Sequence, residues 1–210
     1  MLDIKEDYHV HTNFNDHSSS DLSVTNVVKH ADILGLKSVA FTEHVRKSSE
    51  WIPQYLEEID KVRSSGPRVK IISGFEAKIL EDGSIDCPEE YFENFVVASF
   101  HTTYGNKKKW LSALENIIEF SSASVIGHLA PEESFDLSEI ELEDLANLLL
   151  KNDRIIELNA KYRRPPLRWL GLFKRKQVHF HLGSDAHSLV DVGNFESIRN
   201  LITFVKQDQF

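Results

Sequence analysis

The sequence predicts an α/β fold in which seven parallel strands, covered by helices, close into a barrel. Short β-branched or aromatic runs alternate with amphipathic segments along the 210 residues, which is the pattern of a parallel sheet with crossover helices. Histidines and acids follow one predicted strand after another, and this favours a barrel, where strand ends face a common site. The length predicts one domain over residues 1–210.

The predicted strands are short runs bounded by polar or turn-forming residues, and amphipathic segments separate them. The strands are Glu6–His11, Ser38–Thr42, Val69–Gly74, Phe95–Ser99, Ser124–Gly127, Arg154–Leu158 and Val178–Gly183. The predicted helices are Val24–Leu34, Trp51–Ser64, Pro88–Asn94, Lys108–Ser121, Ser138–Leu150, Leu167–Arg175 and Glu196–Lys206.

The first helix has the clearest local signals. Ser23 is a predicted N-cap, because a serine hydroxyl can accept a hydrogen bond from the first helical turn. The apolar residues that follow recur at helical spacing and form one face. They are Val24, Val27, Val28, Ala31 and Leu34.

Composition narrows the function classes. Cys87 is the only cysteine, so the chain can form neither an intrachain disulfide nor a thiolate-rich zinc site. We see no apolar stretch of about 20 residues and no signal peptide, and we expect a cytoplasmic protein without membrane contact. The formal net charge of −9 argues against a general nucleic-acid-binding surface, so a polymeric nucleic acid is not the expected partner.

The ten histidines are unusual, and most of them fall at predicted strand ends. His9 and His11 are two residues apart at the end of the first strand and therefore share a face. A residue type that binds metals also follows five further strands: His44, Glu76, His101, His128 and, after the last strand, Asp185 with His187. A single histidine at a strand end is more often a hydrogen-bonded structural residue. Six strands with the same feature favour a metal centre.

These motifs resemble those of the PHP (polymerase and histidinol phosphatase) superfamily. The matching segments are DYHVHT followed by His17, then TEH, GFEAKI, SFH, GHL and GSDAH, in that order. Two longer segments, GFEAKI…VVASFH and ELNAKYRRPP…LGSDAHSLVDVGNF, are most similar to the histidinol-phosphatase branch. The resemblance implies a distorted (β/α)7 barrel with a metal site at the C-terminal ends of the strands, in agreement with the strand count.

The resemblance also implies a ligand set for two or three divalent ions. His9, His11, Glu76 and Asp185 would hold the first ion. Glu76 would bridge to a second ion bound by His101 and His128, and a third would be held by His17, His44 and His187. Mixed imidazole and carboxylate ligands suit Zn²⁺, Mn²⁺ or Fe²⁺ better than Mg²⁺ or Ca²⁺.

The resemblance implies hydrolysis of small phosphate monoesters at this centre, where metal binding can lower the pKa of water to about 7 and provide hydroxide. Glu76, Asp185 and His187 are then the candidate catalytic residues, and histidinol phosphate is one candidate substrate. The resemblance places a phosphate-binding arginine after the sixth strand, where Arg164 is favoured over Arg163. A guanidinium suits this role because its planar donors match a phosphate. The simpler alternative is a solvated basic turn.

Two alternative functions stay open at this point. An amidohydrolase-type metal enzyme also begins with His-x-His on a barrel strand, but the positions of Glu76 and the terminal SDAH segment speak against it. A metal-stabilised PHP module without enzymatic activity is the second alternative. Comparing hydrolysis by metal-loaded and metal-stripped protein would separate a module from an enzyme.

Overall fold

The protein forms one sheet that nearly closes on itself. The computed structural model describes residues 2–14, 17–120 and 122–207. Its seven strands are all parallel and follow the order of the chain. The first and last strands meet at their C-terminal ends, where the His11 N–H donates to the Ala186 carbonyl at 3.1 Å and the Asp185 N–H to the His9 carbonyl at 2.8 Å. The predicted distorted (β/α)7 barrel is therefore confirmed.

Helices alternate with these strands. The strands are β1 (Glu6–Val10), β2 (Ser38–Val45), β3 (Lys70–Lys78), β4 (Phe95–Ser99), β5 (Val125–Ile126), β6 (Ile155–Asn159) and β7 (His179–Gly183). The α-helices are α1 (Val24–Leu34), α2 (Ile52–Ser64), α3 (Lys107–Phe120), α4 (Glu139–Lys151), α5 (Leu167–Arg175) and α6 (Arg199–Lys206). Short 3₁₀ turns cover Glu89–Tyr91, Leu189–Asp191 and Glu196–Ile198. Within the described ranges, no helix combines the length and apolar character needed to cross a bilayer.

Strands β2 and β3 run further than the sequence predicts. Their parallel pairing continues through His44↔Glu76 to Val45↔Ala77. These two metal-ligand candidates therefore lie inside paired strands rather than after them. The sequence pattern missed this extension, because charged residues in a strand are unusual unless the site they face compensates for their burial. Two predicted helices also differ, since Pro88–Asn94 contains only the turn Glu89–Tyr91 and the last helix begins as a 3₁₀ turn.

Helix α1 shows how the outer layer is attached to the barrel. The Ser23 hydroxyl accepts a hydrogen bond from the Asn26 N–H, as expected for an N-cap. Val24, Val27, Val28 and Ala31 are buried in the main hydrophobic core. Leu34, predicted on the same face, is 47% exposed, because the helix ends there and the chain turns away at the left-handed Gly35.

Two glycines leave room inside the barrel for a buried carboxylate. A Cβ atom on Gly183 would lie 1.9 Å from Glu157 Oε1 and 2.7 Å from the Cβ of His9. A Cβ atom on Gly127 would lie 2.3 Å from the Ser99 hydroxyl and 3.3 Å from Glu157 Oε2. Side chains at these positions would fill the space below the strand ends. The two glycines thus allow Glu157 to lie directly under the candidate site.

Candidate metal centre

The two histidines of the DYHVHT motif are held in place by acids on the side that faces away from the cluster. His9 and His11 are fully buried. The Nδ1 atom of His9 lies 2.7 Å from Glu157 Oε1, and the Nδ1 atom of His11 lies 3.4 Å from Glu43 Oε1. An N–H at Nδ1 in each ring would donate to its acid, which leaves the Nε2 lone pairs pointing inward.

The inward-facing atoms form a group of acceptors. The Nε2 atoms of His9 and His11 lie 3.1 Å apart. Glu76 Oε2 lies 3.4 Å from the first and 3.5 Å from the second, and Asp185 Oδ1 lies 3.3 Å from His11 Nε2. Lone pairs and carboxylate charges repel each other at these distances unless positive charge lies between them. Glu43 and Glu157 hold the imidazoles in the orientation that creates this arrangement, so the residues fit a bound cation.

Glu76 is the centre of the cluster. Its Oε1 atom lies 3.0 Å from His101 Nε2 and 2.9 Å from His128 Nε2. Its Oε2 atom lies 2.9 Å from His44 Nδ1. Together with His9 and His11, five imidazoles surround one carboxylate whose exposed fraction is 1%. One buried carboxylate shared by so many histidines can bridge two ions.

A third side of the cluster is formed by residues after β7. His187 Nδ1 lies 3.3 Å from Asp185 Oδ1. His187 also belongs, with His11 and His44, to a group of imidazoles whose nitrogen atoms lie within 4.8 Å of one another. The Lys161 ammonium lies 3.4 Å from Asp185 Oδ1 and 3.0 Å from His187 Nδ1, so it places a positive charge beside this part of the centre.

The structure brings together eight of the nine predicted ligand residues. The side chains of His9, His11 and Glu76 form one compact group, and those of His44, Glu76 and His101 form another. His17 is exposed and belongs to none of the compact groups found among the described residues. It does line the cavity above them, together with His44 and His187. Its place in a third metal position stays a prediction.

The electrostatics of the cluster depend on burial and on charge. Burial alone would lower the pKa of His9, but Glu157, Glu76 and Asp185 outweigh it and raise that pKa well above the ordinary value, so these acids favour a positive charge at His9, either a ring proton or a bound cation in its place. Burial alone would raise the pKa of Glu76. The His9 imidazole and the neighbouring histidines outweigh burial and hold the pKa of that carboxyl well below its usual range. Burial, followed by the charge of His11, lowers the pKa of His187 to about 4. At neutral pH, His187 is therefore an uncharged imidazole that can bind a metal ion.

Sequence reasoning missed the acids behind the histidines. Glu43 and Glu157 are fully buried on β2 and β6. Glu157 Oε2 also accepts the His128 N–H at 2.7 Å and the Asn159 side-chain N–H at 3.1 Å. The available signal was an isolated acid in an apolar strand, as in IIELN, because such an acid needs buried partners.

A cavity of about 630 Å³ opens over the cluster. Lys161, Tyr162 and Arg164 line it on the β6 side, and Phe100 and Thr102 line it on the β4 side. The predicted phosphate-binding arginine is therefore next to the metal-ligand candidates. Arg163 is exposed and is not one of the described residues that line this cavity. It lies in the turn after β6 with a left-handed backbone (φ 55°).

A family model and several known proteins are similar to this chain over much of its length. The model of the family described as "PHP domain" matches residues 7–161. The "Probable phosphatase VPA1527" of Vibrio parahaemolyticus is 29% identical and is matched over 96% of this chain and 84% of its own length. The "DNA polymerase/3'-5' exonuclease PolX" of Bacillus subtilis is 27% identical over 89% of this chain, which spans only 35% of that protein.

A solved structure supports the fold. The crystal structure of the "putative histidinol phosphatase hisK" from Listeria monocytogenes has a TM-score of 0.74 and covers 92% of this chain and 99% of its own. At 20% sequence identity, this likeness concerns the fold.

Proposed function

The chain belongs to the PHP domain family, and from this we propose that it is a metal-dependent phosphoesterase that hydrolyses small phosphate monoesters. The observation that carries the proposal is the inward-facing set of acceptors around Glu76. Imidazole nitrogens and carboxylate oxygens together suit Zn²⁺, Mn²⁺ or Fe²⁺. The similarity to a protein named as a probable phosphatase over most of both chains supports the reaction class.

The proposed ligands are the residues that surround these acceptors. We assign them as His9, His11, His44, Glu76, His101, His128, Asp185 and His187, with His17 as a further ligand from the loop. Bound divalent cations would supply Lewis-acid charge and water of lowered pKa at neutral pH. Two or three ions are compatible with the three compact groups of ligand atoms.

The protein's own side chains would position these ions and the substrate. Glu157 and Glu43 fix the rings of His9 and His11 by hydrogen bonding to the nitrogen that faces away from the centre. Arg164 and Lys161 line the cavity and are the side chains that we assign to the outer oxygens of the phosphate. A guanidinium and an ammonium both donate charged hydrogen bonds to such oxygens.

The open cavity and the positive side chains favour a small monoester, with histidinol phosphate as one candidate. The relationship to PolX supports a second candidate, a phosphodiester at the end of a nucleic acid. The net charge of −9 disfavours a long nucleic-acid contact, since such surfaces are usually basic. The monoester is therefore the primary assignment.

A chelation experiment tests the proposed function. Protein stripped of metal with a chelator should lose hydrolysis of p-nitrophenyl phosphate and regain it with Mn²⁺, Zn²⁺ or Fe²⁺. The same preparations should then be compared on histidinol phosphate, nucleoside monophosphates, bis-p-nitrophenyl phosphate and a short oligonucleotide. Faster turnover of monoesters than of diesters is expected. His30→Ala, on the outer helix α1, is a matched control for histidine removal. Metal-independent hydrolysis, or none with any metal, would contradict the proposal.

A further inference from the structure

Asn159 is a buried polar residue between the candidate metal centre and the turn formed by residues 160–164. It is the last residue of β6, and its side chain is fully buried. The turn carries Lys161 and Arg164, which line the cavity and are assigned above to the substrate phosphate. A buried amide is costly unless its polar atoms form hydrogen bonds, so the partners of Asn159 indicate its role.

The amide nitrogen of Asn159 faces two buried acids. Its Nδ2 atom donates to Glu157 Oε2 at 3.1 Å and to Asp185 Oδ2 at 3.2 Å. The other oxygen of each acid contacts a histidine of the cluster. Glu157 Oε1 lies 2.7 Å from His9 Nδ1, and Asp185 Oδ1 lies 3.3 Å from His11 Nε2. Asn159 thus holds one metal-ligand candidate directly and a second one through Glu157.

The amide oxygen of Asn159 faces the turn. Its Oδ1 atom accepts a hydrogen bond from the Tyr162 N–H at 2.8 Å. The backbones of Asn159 and Arg164 also pair, with N–H to carbonyl distances of 2.9 and 3.2 Å. The Tyr162 ring lies against the His128 imidazole, with centroids 4.9 Å apart. The turn is therefore attached to β6 in its middle and at its end, with Lys161 and Arg164 on either side of the central contact.

The amide of Asn159 has both kinds of group that these contacts need. Its nitrogen carries two hydrogens, one for each carboxylate, and its oxygen accepts the backbone N–H. In the flipped orientation, the oxygen would face the two carboxylates and the NH₂ group would face the Tyr162 N–H. The contacts therefore determine the orientation of the side chain. One short side chain connects Asp185 to the turn.

We propose that Asn159 is a positioning residue that serves both halves of the site. Through one side chain, it orients Asp185 for metal binding and places the turn whose Lys161 and Arg164 bind the substrate phosphate. This inference rests on the proposed function. Loss of the Asn159 amide should therefore weaken metal binding and phosphate binding together. Loss of the Arg164 guanidinium should weaken phosphate binding alone.

The test measures two affinities of the full chain. Titration with Mn²⁺ gives the metal affinity, and calorimetric titration of the Mn²⁺-saturated protein with inorganic phosphate gives the anion affinity. Asn159→Leu keeps the branch at Cγ without polar atoms, and it should weaken metal binding by about 10- to 100-fold. It should weaken phosphate binding by at least about 10-fold, because a charged hydrogen bond from the turn is misplaced. Asn200→Leu, at an exposed position on α6, is the matched control and should change neither affinity.

A double-mutant comparison separates positioning from a general loss of structure. Arg164→Ala should lower the phosphate affinity by about 10- to 150-fold in the wild-type background. In the Asn159→Leu background, the loss should be at least about 3-fold smaller, because the guanidinium is already misplaced there. Equal losses in the two backgrounds would overturn the proposal. Unchanged phosphate affinity of Asn159→Leu at saturating Mn²⁺, or unchanged metal affinity, would also overturn it.

Hydrolysis is a separate measurement. If the metal-loaded protein hydrolyses no phosphomonoester, the proposed function fails, while the two affinities still decide the role of Asn159. Wild-type protein that binds no inorganic phosphate would overturn that role, since the turn would have no anion to hold. Thermal melting establishes that each variant is folded. If Asn159→Leu does not fold, Asn159→Ala takes its place, with the same expected and contradicting results.

Discussion

The buried carboxylate of Glu157 lies 2.7 Å from the Nδ1 atom of His9, on the side of the imidazole that faces away from the cluster. The two residues are joined across the barrel from β6 to β1. Because Nδ1 faces a carboxylate, the other ring nitrogen is free to bind a cation, and the hydrogen bond increases its basicity. The candidate metal centre thus consists of the proposed ligands and of the acids that orient them.

Glu157→Gln should weaken metal binding by about 10- to 100-fold, which is the usual effect of removing such a partner. Both carboxylate oxygens of Glu157 accept hydrogen bonds from N–H groups, including that of the His128 backbone. In the variant, the glutamine NH₂ group would face one of these N–H groups, and two donors cannot form a hydrogen bond. Titration with Mn²⁺ or Zn²⁺ measures the effect, and excess metal should restore part of the activity. Glu57→Gln, an exposed change on α2, is the control. Equal metal affinity in both variants would contradict the positioning role.

Gly183→Ala should destabilise the protein by about 1–3 kcal/mol, the range for overpacking a buried site, and should also weaken metal binding. The new Cβ atom would lie 1.9 Å from Glu157 Oε1, so that carboxylate would be displaced from His9. Gly171→Ala on α5 is the matched control, because its nearest neighbour would be 3.8 Å away. That variant should be neutral or more stable by about 0.5–1 kcal/mol. Urea unfolding of the two variants measures the contrast, and equal stabilities would show that the clash is relieved.

Arg164→Ala should lower kcat/KM on phosphomonoesters by about 10- to 150-fold with no change in metal content, since it removes a charged hydrogen bond. Arg164→Lys should recover only part of the loss, because it keeps the charge without the planar donors. Arg163→Ala should have little effect, as Arg163 does not line the cavity formed by the described residues. A defect in Arg163→Ala with a silent Arg164→Ala would reverse the assignment. If both are silent, the segment is a solvated basic turn.

His181 should make the protein less stable in acid. It is buried on β7 and stacks on Tyr8 with ring centroids 4.9 Å apart, and its Nε2 atom has no hydrogen-bond partner among the described residues. Burial lowers the pKa of His181 to about 4. In the unfolded chain the ordinary value is about 6.5, so below that pH the unfolded state binds the extra proton. Stability then falls as the pH drops from about 6.5 towards 4, by up to about 3 kcal/mol from this residue.

His181→Phe should remove this contribution and make the pH dependence of the urea midpoint shallower between pH 6.5 and about 4. The same substitution at exposed His179 on this strand is the control and should behave as wild type. Measuring all three proteins with a chelator present excludes metal release from the difference. Parallel pH profiles for wild type and His181→Phe would rule out the buried histidine as a source of acid sensitivity.

The fold could be predicted because each strand carries its own local signal. The alternation of strands and helices predicted the parallel arrangement. The predicted helix bounds Val24–Leu34 and Leu167–Arg175 agree with the structure. The bounds of β2 and β3 could not be predicted, because His44 and Glu76 look like strand-ending residues until the barrel interior places them beside other polar groups.

The clustering of metal-binding residue types in the candidate site was predictable, and the contacts that support the cluster were not. Metal-binding residue types at successive strand ends converge by topology alone, since parallel strands present their carboxyl ends to one face. The contact between His9 and Glu157 joins residues 148 positions apart and depends on the space left by Gly183. Lys161 likewise gave no signal beyond its charge, and only the structure places its ammonium 3.4 Å from Asp185 Oδ1.

The most direct test of the metal centre is the metal content and turnover of Glu76→Ala, measured on one preparation beside wild type, His17→Ala and His30→Ala. Glu76 contacts the imidazoles of His44, His101 and His128. Metal ions held by such a cluster would stabilise the charge of the transition state by several kcal/mol. We predict that Glu76→Ala loses bound metal and at least about 100-fold of its turnover together. His17→Ala should lose less, and His30→Ala nothing. Normal turnover or full metal content in folded Glu76→Ala would contradict a centre built around this carboxylate.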